Sequence, residues 1–195
     1  MHGKIYRLEL QSAGLFLCSK TKIKFQVTCP IIIEYEVESW RNYHNLLQNP
    51  DTQYEILGPL FNVKSPPEPG VISAVYLPHC LCSEGFADYA VSVTCVHFKD
   101  DNIILEKPSK VESYYVVLEN PTFSPIGVIL SFLTRIKDGI TNHVPVHGMV
   151  LIYNGIIGDP DHQKHRIHLY LMPANLSVET VSCSNSVSYC RVVIK

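Results

Sequence analysis

Three side-chain types in this chain can do covalent chemistry together: a hydroxyl, an imidazole and a carboxylate. His97-Phe98-Lys99 closes an alternating apolar run, and Glu106 follows the polar turn Lys99-Asp100-Asp101-Asn102. Ser124 stands in Phe123-Ser124-Pro125, just after an Asn120-Pro121 break. A serine hydroxyl becomes a nucleophile when an imidazole takes its proton, and a carboxylate orients that imidazole. The residues alone leave a second reading open, a strand-end His and a turn Ser, because nine His offer many such trios.

Metal chemistry is a poorer fit. His162, His165 and His168 fall at i, i+3 and i+6, and on a strand His165 and His168 face opposite sides. His143 and His147 are separated by Pro145, which spoils a helical pair. Cys80-Leu81-Cys82 has no second cysteine pair to complete a zinc site. There is no Gly-rich phosphate loop, so neither a metal nor another cofactor is expected. Asn175-Leu176-Ser177 matches a glycosylation tripeptide of the kind that arises by chance.

The elements that must position these groups read as strands. Hydrophobic residues make up 46% and charged residues 17%, which excludes a disordered chain. Tyr6 to Leu10, Lys22 to Val27 and Ile31 to Val37 alternate or run apolar. Val71 to Leu77, Tyr89 to His97, Val111 to Leu118, Ile126 to Leu133, Met149 to Tyr153, Ile167 to Met172 and Tyr189 to Lys195 follow. Period-two patterning broken by turns such as Ser65-Pro66-Pro67-Glu68-Pro69-Gly70 predicts an all-β fold of packed antiparallel sandwich-like sheets. One short helix is expected, over Leu130 to Lys137.

Charge and cysteine usage narrow the class. A net charge of −2 argues against nucleic acid as a partner. No apolar run approaches the ~20 residues that span a bilayer, so no membrane partner is expected. The first residues lack a signal-peptide core. Seven cysteines at irregular spacing then predict reduced thiols and a cytoplasmic location.

Longer strings carry a family resemblance. Glu106-Lys107-Pro108 and Val116-Val117-Leu118-Glu119-Asn120-Pro121-Thr122-Phe123-Ser124-Pro125-Ile126-Gly127-Val128 resemble the FIIND, the function-to-find domain of inflammasome proteins. Gly58 to Lys64, Val75 to His79, His97-Phe98-Lys99, His168 to Pro173 and Phe25 to Trp40 are similar too, in order along the chain.

The resemblance implies a ZU-type subdomain over residues 1–123 and a UPA subdomain over 124–195. It implies self-cleavage between Phe123 and Ser124 by a serine-type autoprotease acting once, in cis. Ser124 matches the motif serine and His97 the motif histidine. The acidic partner maps to Glu106, with Asp101 as a second candidate. The implied partners are the chain's own cleaved fragment, cytosolic dipeptidyl peptidases and CARD/caspase-1 machinery. The segment after Ser124 has 72 residues, so the UPA half is expected to be incomplete. Two alternatives are a ZU–UPA interaction scaffold that does not cleave itself and an extracellular β-sandwich binding module.

Overall fold

A computed structural model describes residues 4–48, 52–64, 68–82, 92–133, 146–157, 164–173 and 187–194. The strands are β1 (Ile5–Leu10), β2 (Gly14–Leu17), β3 (Lys24–Val27), β4 (Ile31–Glu38), β5 (Thr52–Ile56), β6 (Leu60–Val63) and β7 (Ile72–Pro78). They continue with β8 (Ser92–Lys99), β9 (Asn102–Glu106), β10 (Lys110–Val111), β11 (Tyr115–Glu119) and β12 (Ile126–Leu133). The last three are β13 (Val146–Ile157), β14 (Lys164–Pro173) and β15 (Val187–Ile194). Among the described residues a short 3-10 helix, Trp40–Tyr43, is the one helical element.

The strands form three antiparallel sheets. The largest has the order β1-β4-β6-β12-β8-β9, with β5 also pairing to β12. The second has the order β10-β11-β7-β3-β2, and the third β14-β13-β15. Leu10, Ile33, Phe61, Cys95 and Val128 of the first sheet share one buried cluster with Phe25, Val75, Leu77, Val116 and Leu118 of the second. A single cluster fed by alternate residues of two sheets is the core of a β-sandwich. The third sheet joins this body through a bridge between Leu81 and Val146 and a bond from the His147 N–H to the Cys80 carbonyl.

Tyr35 sits at the centre of the core. Its ring lies 5.4 Å from Tyr6, 5.7 Å from Phe25 and 6.1 Å from Phe61. Its hydroxyl shares a 2.7 Å hydrogen bond with Thr21, and both residues are buried. Tyr35→Phe keeps the packing but removes the hydroxyl that bonds Thr21 and Cys18. A loss of about 1–2 kcal/mol is expected, read as a lower urea midpoint.

The all-β reading holds, with local corrections. Leu130 to Leu133 continues β12 as strand, and residues 134–137 of the expected helix lie outside the described residues. Val111 to Leu118 is not one strand. The Glu112 N–H bonds the Tyr115 carbonyl and turns the chain between β10 and β11. His143, His162 and the Asn175 tripeptide also lie outside the described residues. Cys18, Cys29, Cys80, Cys82 and Cys95 are free thiols. No helix among the described residues is long and apolar enough to cross a membrane.

Candidate active site

β8 and β9 form a hairpin closed by Lys99 opposite Asn102. Its two turn residues, Asp100 and Asp101, have φ of 51° and 58°. Two successive left-handed residues make the turn that matches the right-handed twist of paired strands. Asp, which tolerates this conformation better than most residues, occupies both positions. The turn fixes the register, so Ile104 faces His97 and Glu106 faces Cys95. Side chains two apart share a face, which makes Glu106 the diagonal neighbour of His97.

β12 lies on the other side of β8. Ile126 pairs with His97, and the Phe98 N–H donates to the Pro125 carbonyl at 3.0 Å. Ser124 precedes Ile126 by two residues and comes to the face that carries His97. The segment before it crosses between the sheets, since β11 belongs to one and β12 to the other. Asn120 begins the crossing at φ 49°, with its N–H bonded to the Ser73 carbonyl at 2.8 Å. A left-handed non-glycine residue costs of order 1–3 kcal/mol. Phe123 packs against the main core cluster and anchors the acyl side of the Phe123–Ser124 bond.

The imidazole of His97 is 3% exposed and lies between two partners. Its Nδ1 is 3.0 Å from Ser124 Oγ. Its Nε2 is 2.8 Å from Glu106 Oε2, off the direction of a well-aligned N–H hydrogen bond. A carboxylate there favours the proton on Nε2, which leaves the Nδ1 lone pair free to accept the Ser124 proton. Burial pulls the His97 pKa below the ordinary 6.5, and the Glu106 charge opposes that pull without cancelling it. The ring is therefore neutral at pH 7 and competent as a base. Asp101 stands exposed at the hairpin tip. Cys95, directly opposite Glu106, is fully buried, and burial first and the Glu106 charge second push its thiol up to about 12. Such a thiol is inert as a nucleophile.

Sequence reasoning missed what lies behind the site. Residues 40–47 cover the outer face of the large sheet, where Trp40, Tyr43, Leu46 and Leu47 pack with Leu60, Val96, Phe98 and Ile129. Ser39 caps the 3-10 helix by accepting from the Arg41 N–H. A serine four residues before a tyrosine was the available signal, and it is a weak one. No group of three or more His, Cys, Asp or Glu among the described residues is placed to hold a metal ion.

The arrangement suits acyl transfer: a hydroxyl on a base, the base beside a carboxylate, and a peptide carbonyl immediately before the hydroxyl's own residue. The family model described as "Function to find" (FIIND) matches residues 1–136, a span that holds all three groups. The chain is 36% identical over 176 residues to mouse NACHT, LRR and PYD domains-containing protein 1a, covering 89% of this chain and 14% of that protein. Mouse NACHT, LRR and PYD domains-containing protein 1b allele 1 is 33% identical over 176 residues, with 90% and 13% covered. The rat 1a allele 1 protein is 34% identical over the same length, with 89% and 13% covered. The chain thus spans about one-seventh of the length of these relatives or slightly less.

Proposed function

The chain belongs to the FIIND family, and from that premise we propose that it is the autoproteolytic domain of an inflammasome-type protein, cutting its own Phe123–Ser124 bond. The observation that carries the reading is the buried His97 held between Ser124 Oγ and Glu106.

His97 Nδ1 takes the Ser124 hydroxyl proton as Oγ bonds to the Phe123 carbonyl carbon. The tetrahedral intermediate collapses when the Ser124 nitrogen receives that proton and the C–N bond breaks. The product is an ester joining the Phe123 acyl group to Ser124 Oγ. Water then attacks the ester while His97 takes its proton. The Phe123 carboxylate, the Ser124 hydroxyl and a free α-amine remain. General-base help contributes about 10²–10⁴ in rate. A half-life near an hour needs a barrier of only roughly 22 kcal/mol, because each chain reacts once.

Cleavage leaves β12 on the second fragment. That strand keeps six register pairs with β8 and five with β5, all from the first fragment. The two pieces therefore elute together from a sizing column and separate only under denaturing conditions. Separate elution without denaturant contradicts the reading. By family resemblance the first fragment restrains the second in the cytoplasm, with cytosolic dipeptidyl peptidases and CARD/caspase-1 machinery as partners.

Two substitutions distinguish the acidic candidates. Glu106→Gln is expected to slow cleavage at least about tenfold by weakening the hold on the Nε2 proton. Asp101→Gly is expected to leave the rate unchanged, since glycine suits the left-handed turn. Pulse-chase gels of the two variants read the comparison. The opposite ranking reassigns the acid to Asp101.

A further inference from the structure

Side chains alternate along β8, so Val96 and Phe98 point away from the face that carries Cys95 and His97. Against this outer face stands Trp40. Its ring meets Phe98 edge-on at 6.0 Å, and its Nε1–H donates to the Gly58 carbonyl at 3.0 Å. Tyr43 stacks on the same Phe98 at 4.1 Å and is itself held by a 2.6 Å bond from its hydroxyl to Glu38 Oε2. The far edge of the indole fills the place where residue 127 would carry a side chain. A Cβ on Gly127 would overlap the ring atoms Cζ2 and Cη2.

Gly127 is paired in register with Val96, and the next pair along is Ile126 with His97. One indole thus touches β8, which carries His97, and β12, which begins two residues after Ser124. It reaches β8 beside His97 through Phe98, and β12 three residues after Ser124 through Gly127. Ile126–His97 is the last register pair before Ser124, and beyond it the Phe98 N–H bond to the Pro125 carbonyl continues the ladder from the residue that the indole meets.

We propose that Trp40 is a positioning residue for the cleavage reaction, a wedge behind the sheet that holds β8 and β12 at the spacing that brings His97 onto Ser124. The proposal rests on the self-cleavage reading above. Trp40 touches neither the base nor the nucleophile, so its effect is on alignment, where a displacement of about 1 Å costs about a hundredfold.

The test follows conversion of the freshly translated full chain to its fragments. The Ser124→Ala chain with each substitution added serves as a folding control. Trp40→Ala is expected to be slowed about a hundredfold in a chain that melts cooperatively, and Trp40→Phe to cleave close to the wild-type rate. Gly127→Ala is expected to be slow too, because its new methyl displaces the indole. Adding Trp40→Phe, which lacks the overlapping edge, is expected to restore it. A merely stabilising Trp40 would lower the melting temperature and leave the rate per folded molecule unchanged.

A folded Trp40→Ala chain that cleaves at the wild-type rate overturns the proposal alone. If Trp40→Ala does not fold, the Gly127→Ala pair decides, and wild-type cleavage by Gly127→Ala overturns it. A wild-type chain that stays whole overturns the self-cleavage reading and this proposal together.

Discussion

Ser124→Ala is expected to leave the chain whole, a single 22.0 kDa species on a denaturing gel where the wild type gives two. Removing Oγ removes the hydroxyl that His97 holds next to the Phe123–Ser124 bond. What remains is water against an unactivated amide. Loss of the nucleophile in a serine hydrolase costs about 10⁶ in rate, so a reaction with a half-life of about an hour becomes one of about a century. The fold should survive, because Ser124 contributes a hydrogen bond to His97 and little packing. Ser124→Cys restores a nucleophile at the same place and should restore cutting. A Ser124→Ala chain that still gives two fragments would show that another nucleophile or an outside protease makes the cut.

His97→Gln is expected to slow cleavage by about 10²–10⁴, the usual share of a positioned general base. The amide fills much of the imidazole's space but cannot take the proton. The same residue sets a pH dependence. Only neutral His97 accepts from Ser124, and burial holds its pKa below 6.5. The cleavage rate should therefore be at its plateau above pH 6.5 and fall as pH drops through the lower folded value.

Stability moves in the same direction. Between the folded value and 6.5 the unfolded chain binds more protons than the folded one, so stability declines as pH falls across that window. The two effects separate when the rate is measured at pH values where the Ser124→Ala chain remains folded. A rate that rises as pH falls below 6.5 would remove His97 from the role of base.

Much of this was readable from the chain because strands write themselves at short range. Tyr6-Arg7-Leu8-Glu9-Leu10 alternates, Ile31 to Val37 starts as an apolar run and then alternates, and both are strands, paired to each other. Leu130 to Leu133 misled because β12 is an interior strand flanked by β8, β6 and β5. Val128 and Leu130 join one core and Ile129 the other. A strand buried on both faces is a continuous apolar run, which periodicity cannot separate from a helix. Gly14–Leu17, Thr52–Ile56 and Leu60–Val63 are strands too short or too mixed to stand out.

The site was legible as residue types joined by a family string, and its geometry was not. The diagonal between His97 and Glu106 depends on a register set by two left-handed aspartates. The approach of Ser124 depends on a crossing between sheets that no local pattern announces. Trp40 is the extreme case. Its contacts, Gly58, Phe98 and Gly127, lie 18, 58 and 87 positions away in the sequence.

The central claim is that this chain breaks its own Phe123–Ser124 bond. Intact mass measurement of the purified wild-type chain under denaturing conditions, with N-terminal sequencing of the smaller species, addresses it directly. The account predicts two species whose masses sum to the full chain plus one water, the second beginning Ser124-Pro125-Ile126. A single 22.0 kDa species, or a break at any other bond, would contradict it.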